Sequence, residues 1–224
     1  AIFAALPYDP IRDFEPIIQA TVVQLVMVVP SSHPASTVSE FLAWARAQGG
    51  RTAYASSGNG SNPHLAAADL LNRLGIRMEH IPYRGSTAAH ADLITGRTAM
   101  MFDAYAAVQP HVEANTLRML AVSGAEPSHL LPGLPTVAAA AGIPGYAAPS
   151  WGCLLAPANT PAPAIAALNT ATSAILAADD VRERLAVLGA EPVGGTPEQL
   201  RELMTQEQER LVALVSTLGL KGSL

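Results

Sequence analysis

Between Leu25 and Val122 the chain alternates strand-like runs with helix-like segments joined by short loops, and that alternation is its strongest constraint. Such a pattern builds a parallel sheet covered by helices. Strands are expected near Leu25–Val29, Thr52–Ala55, Met78–Ile81, Ala99–Phe102 and Leu117–Val122. Thr37-x-x-Glu40 is a capping box ahead of Val38, Phe41, Leu42 and Ala45, which share one helical face. A second helix opens at Asn62-Pro63, where proline suits the first helical position, and stops before Gly75. A third runs from about Thr87 to Ile94 and a fourth surrounds Val108–Val112. Residues 124–149 are rich in Pro, Gly and Ala and read as a connector, with "TVAAAA" as a short helix. After it come a strand at "WGCLLAP" and a helix opened by Thr160 and prolines 161 and 163, with Ile165, Leu168, Ile175 and Leu176 turned inward. A strand at "PVGG" follows. The last helix starts at the capping box Thr196–Gln199 and carries Leu200, Leu203, Leu211 and Leu214 on its apolar stripe.

Composition removes several classes of function. At 224 residues and 50% hydrophobic, the chain can bury a sizeable core in one large domain or two small ones. The net charge of -5, with no basic block, offers no footprint for nucleic acid or an anionic membrane surface. Apolar runs such as Val22–Val29 are far shorter than the roughly 20 residues a membrane span needs. One cysteine, Cys153, excludes an internal disulfide and a cysteine-based zinc site. The opening "AIFAALPYDP" has no basic region or cleavage site of a secretory signal and reads as a chain entered partway through. Charge is uneven: residues 26–122 hold seven arginines against six acids, and the remainder five arginines and one lysine against twelve acids. That makes the middle relatively positive, as an anion-attracting region or as ordinary solvated surface.

Ligands of parallel sheets gather outside the carboxyl ends of the strands. Three loops fit that position: "SSGNGSN" (Ser56–Asn62), "YRGST" (Tyr83–Thr87) and "DAY" (Asp103–Tyr105). Glycines let backbone N–H groups approach a ligand, and the helix behind adds partial positive charge, which suits a carboxylate or phosphate. The candidate ligand-binding residues are Ser56, Ser57, Gly58, Asn59, Gly60, Ser61, His64, Arg84 and Asp103. Each has a plainer reading: the Gly-Ser-Asn cluster as a turn with an N-cap, Arg84 as a solvated cation, Asp103 as a helix cap and His64 as packing. Enzymatic patterns are missing. There is no Walker lysine, Pro63 stands where a dinucleotide fingerprint needs glycine, and no G-x-S-x-G elbow occurs. The six histidines form no close metal-ligand spacing, so neither a metal nor a cofactor is expected.

The succession "LPYDPIRDFEPI", "YASSGNGSNPHLA", "HIPYRGS", "TAMMFD", "LRMLAVSG", "LPGLPTVAAAAGIPGY", "SWGCLLAPANTP" and "VRERLAVLGAEPVGGTPEQL" resembles the periplasmic receptors of tripartite tricarboxylate transporters, the Bug family. The resemblance covers nearly the whole chain. It implies an α/β, two-domain, periplasmic-binding-protein-like fold of the type II Venus-flytrap kind that closes about a hinge. It further implies a non-enzymatic, extracytoplasmic protein that captures a small carboxylate for membrane transporter components and does not itself span the membrane. In that frame "SSGNGS" is the carboxylate-holding loop of the second domain. Family members carry a signal peptide and a strand-helix-strand region ahead of "LPYDP", and nothing here corresponds to them. The expected layout is therefore a partial first domain at 1–25 and 123–224 and a complete second domain at 26–122. Two alternatives remain open: a ligand-sensing domain of a regulatory or signalling system, and an enzyme using a serine nucleophile in "GNGS" with a neighbouring base.

Overall fold

The computed structural model describes residue 2 and residues 6–222. Residues 1, 3–5 and 223–224, expected in the first domain, lie outside the described residues. The chain forms two units, a central one of residues 24–150 and a flanking one of residues 1–23 and 151–224.

Strand β1 (Phe14–Val23) belongs to the flanking unit. The central unit then runs β2 (Leu25–Pro30), α1 (Val38–Gln48), β3 (Ala53–Ser56), α2 (Asn62–Arg73), β4 (Glu79–Pro82), α3 (Ser86–Ile94), β5 (Met100–Ala104), α4 (Tyr105–Glu113), β6 (Leu117–Val122) and α5 (Val137–Ala141). Its sheet has the order β4-β3-β5-β2-β6. Side chains alternate across the pleat, so β2, β3, β5 and β6 each feed two cores. Leu25, Met27, Val29, Tyr54, Met100 and Phe102 join residues of α1, α2 and α5 in one cluster. Val26, Val28, Ala55 and Met101 join Ala89, Leu93 and Val108 of α3 and α4 in the other. Helices on both faces explain why β2 and the start of β5 read as unbroken apolar runs.

Strand direction differs from the all-parallel expectation. β3 pairs parallel with β4 and β5, but β2 lies antiparallel to both β5 and β6. β2 is buried along its whole length, and a strand covered on both faces shows the same apolar run whichever way it points.

Residues 124–150 also depart from the expected layout, because they pack with the central unit and not with the flanking one. Ala148 N–H donates to Ser123 O at 2.8 Å, and Ser123 Oγ donates to Ala148 O at 3.1 Å. Val137 is fully buried, and Tyr146, nearly so, donates its hydroxyl to Ala66 O at 3.0 Å. Small residues that read as a linker pack here because α5 and the chain after it lie close against α1 and α2.

In the flanking unit β7 (Ser150–Pro157), α6 (Ala162–Ala177), α7 (Asp179–Val187), β8 (Ala190–Gly194) and α8 (Pro197–Thr217) complete a sheet of order β7-β1-β8. β1 and α7 were not expected from the sequence. β1 lacks a clean period of two, with buried residues bunched at Pro16–Ile18, and α7 has no side-chain N-cap to announce it. Ile165 and Leu176 pack on Ile17, Ile18 and Ala156, whereas Leu168 and Ile175 are exposed, contrary to the inward stripe expected on α6. On α8 the buried residues are Leu200, Met204 and Val215, and Leu203, Leu211 and Leu214 are half-buried beside them.

Candidate functional site

The three candidate loops follow β3, β4 and β5, which are parallel neighbours, so they share one edge of the central sheet. The first two are tied by backbone: Tyr83 N–H donates to Ser56 O at 3.0 Å and Gly85 N–H to Ser57 O at 3.2 Å. Tyr83 also donates its hydroxyl to Asp92 of α3 at 2.6 Å. Burial and that bond push the phenol's pKa up to about 12, so it remains a donor.

Within Ser56–Asn62 the glycine amides do not converge on an empty nest, as the sequence suggested. Gly58 N–H donates to Ser56 Oγ at 3.2 Å, Gly60 N–H to His64 Nδ1 at 3.0 Å, and Ser61 N–H to Gly58 O at 3.2 Å. Gly60 takes φ +73°, a left-handed conformation that favours glycine. Ser61 is the N-cap of α2, accepting from His64 N–H at 3.4 Å, and its hydroxyl donates to Gly58 O at 2.7 Å. A nucleophile role for Ser61 would require its hydroxyl to leave Gly58 O, and among the described residues no imidazole is bonded to its oxygen. The N–H groups of Ser57, Asn59 and Asn62 have no protein acceptor among the described residues. Donors for a ligand thus remain, but they are these three and not the glycines.

The other expected residues separate into inward and outward groups. Ser56 is fully buried, with Oγ 2.7 Å from His80 Nε2 and 3.0 Å from Gly58 O, so it braces the loop from within. His64 is also buried, and because its Nδ1 accepts from Gly60 it does not offer that nitrogen to an anion. Asp103 is buried as well, with Oδ2 2.8 Å from His90 Nε2 and Oδ1 accepting Ala104 N–H at 2.9 Å. That pairing leaves it a poor partner for a ligand hydroxyl or ammonium. Arg84 is exposed and engages no acceptor among the described residues.

Two residues that the sequence did not single out organise this edge. His80 lies opposite Tyr54 in the parallel register of β3 and β4. Its ring stacks on that of His64 at 3.7 Å between centroids and 3° between planes, with Tyr54 stacked on both. Burial, with a smaller contribution from His64, lowers the His80 pKa to about 4, and burial lowers that of His64. Both rings are neutral at pH 7. The available signal was "HIPYRGS" placed on the strand next to "YASSG", which sets Tyr54 and His80 side by side once those strands pair. No group of three His, Cys, Asp or Glu suited to a metal ion occurs among the described residues. No helix among them is long and apolar enough to cross a membrane.

The family model described as tripartite tricarboxylate transporter family receptor matches residues 1–220. A curated relative from Pseudomonas sp. strain P51, a UPF0065 protein of the tcbD-tcbE intergenic region, is 37% identical over 95% of this chain and 63% of its own length. The chain therefore spans less than two thirds of that relative. The solved structure of R. palustris Rpa4515 with adipate superposes with a TM-score of 0.86 at 33% identity, covering 97% of this chain and 73% of that one. MatC (Rpa3494) of Rhodopseudomonas palustris, with bound malate, gives 0.79 at 29% identity over 96% and 74%. The two units are accordingly those of a periplasmic-binding-protein-like α/β fold.

Proposed function

The chain belongs to the receptor family of tripartite tricarboxylate transporters, and from that premise we propose that it captures a small carboxylate outside the cytoplasmic membrane and hands it to a tripartite-type transporter. The observation that carries this reading is one sheet edge where, among the described residues, Ser57, Asn59 and Asn62 N–H lack protein acceptors and Arg84, on the adjoining loop, has no acidic partner. Backbone N–H groups at the front of a helix favour an anion through direct bonds and the helix dipole. A guanidinium adds a charged, two-pronged donor suited to a carboxylate. Ser57 and Asn59 contribute side-chain donors at the same loop. The adipate and malate in the two solved relatives support the choice of carboxylates. The central unit carries these donors, and it is also the less negative part of the chain, which assists approach of an anion.

The test is calorimetric titration with a panel of mono-, di- and tricarboxylates, adipate and malate included, repeated with Arg84→Gln. Loss of one charge-assisted contact of about 2 kcal/mol corresponds to a roughly thirtyfold weaker affinity. No heat with any acid, or an unchanged affinity in Arg84→Gln, removes the reading or its named cation respectively.

A further inference from the structure

The neutral imidazoles behind the anion loop have no part in the reading above, yet they meet both of its glycines. His64 Nδ1 accepts Gly60 N–H at 3.0 Å. His80 Nε2 lies 2.7 Å from Ser56 Oγ, which in turn accepts Gly58 N–H at 3.2 Å. The rings are stacked face to face at 3.7 Å, so displacement of one moves the other. Gly58 and Gly60 N–H are thereby held by the protein, while the N–H groups of Ser57, Asn59 and Asn62 have no protein acceptor among the described residues. We propose that His64 and His80 are positioning residues of the carboxylate site, two stacked imidazoles that hold the alternate amides of the loop inward and so keep the others available to the ligand.

The inference rests on the carboxylate reading, and it requires one protonation state. The nitrogen that accepts from Gly60 cannot do so once it carries a proton, and two charged rings at stacking distance repel. Among the described residues the groups in contact with the pair are Tyr54 from β3, Ser56 at its end and Gly60 N–H. No carboxylate acts to raise the pKa of either imidazole, so nothing opposite in charge favours the protonated pair. Acid should therefore free the Gly60 amide, push the two rings apart and loosen the site.

Titrations with the tightest-binding acid of the panel decide the matter, using wild type, His64→Phe, His64→Asn and His80→Gln at pH 7.5 and at steps below it. His64→Phe keeps a flat ring but loses the acceptor for Gly60, and affinity falls about tenfold, as expected for one hydrogen bond lost within a buried network. His64→Asn offers an oxygen near the Nδ1 position and recovers most of that loss. His80→Gln, with a polar end for Ser56 but no ring face, lies between. Below pH 6 the wild type loses affinity more steeply than His64→Asn, whose side chain does not titrate; protonation of the acid itself is common to both. Equal affinity in His64→Phe and wild type, or superimposable pH profiles in wild type and His64→Asn, overturns the inference and leaves the carboxylate reading intact. If His64→Phe fails to fold, the profile comparison decides alone. If wild type binds no acid at pH 7.5, the carboxylate reading falls first and the positioning role with it.

Discussion

The central and flanking units use similar residues to very different depth. In the central unit β2 is buried at every position, and Phe41, Phe102, Met27, Met100 and Met101 have no exposed surface. In the flanking unit α6 is 16 residues long and α7 nine, and neither buries a single residue fully. Leu168, Ile175, Val187, Leu188 and Val193 are all exposed there. Two packed faces let a strand bury both of its side-chain sets, whereas among the described residues the sheet β7-β1-β8 carries a small cluster around Ile17, Ile18 and Ala156, with Leu200, Met204 and Val215 of α8 also buried. Hydrophobic residue count is therefore a poor guide to where stability resides. What matters is area removed from water, worth about 25 cal/mol per Å². The candidate loops stand on the better-buried unit, so they are positioned by strands and helices that resist local opening.

Phe102→Ala should break that comparison if it is wrong. A fully buried phenylalanine at the middle of the sheet is expected to cost about 3–5 kcal/mol in urea unfolding, and a loss below about 1 kcal/mol would deny the central core its role. Tyr146→Phe comes next, at about 1–2 kcal/mol, because it leaves the buried Ala66 carbonyl without that donor; a neutral result would detach residues 124–150 from the central core. Acid sharpens the comparison from another side. The folded-state pKa of His80 is about 4, below the ordinary 6.5, so the unfolded chain binds the extra proton. The stability this group contributes is full above pH 6.5 and declines as pH falls from 6.5 towards 4. His80→Gln should flatten that slope in urea midpoints measured between pH 7 and 4.5. Smallest is Leu168→Ala on α6. With 46% of the residue already exposed, it should cost under about 1 kcal/mol, and a larger loss would mean the flanking helix is better anchored than its burial implies.

Local chemistry was legible wherever it lies within a few residues. The boxes Thr37-x-x-Glu40 and Thr196–Gln199 cap α1 and α8 reciprocally, and Ser61 with Pro63 starts α2 as the spacing required. The order of strand and helix through the central unit, and the placing of the three loops beside one another, also followed from apolar period and turn residues. The antiparallel course of β2 did not, because burial on both faces erases the alternation that distinguishes one environment from another. Nor did the attachment of residues 124–150, since alanines and prolines show their packing only through the partner that lies within reach of them.

At the candidate site the division is sharper. The sequence by itself determined that a loop of glycines, serines and asparagines stands before a proline-opened helix, rich in donors and free to turn. Tertiary structure decided which donors are left over. Gly60 N–H is taken by His64, and Gly58 N–H by Ser56 beside His80, a residue brought in by the neighbouring strand. A hydrogen-bond donor has one proton to give. Whether it goes to the protein or to a ligand depends on acceptors that arrive from elsewhere in the chain, and linear spacing does not carry that information.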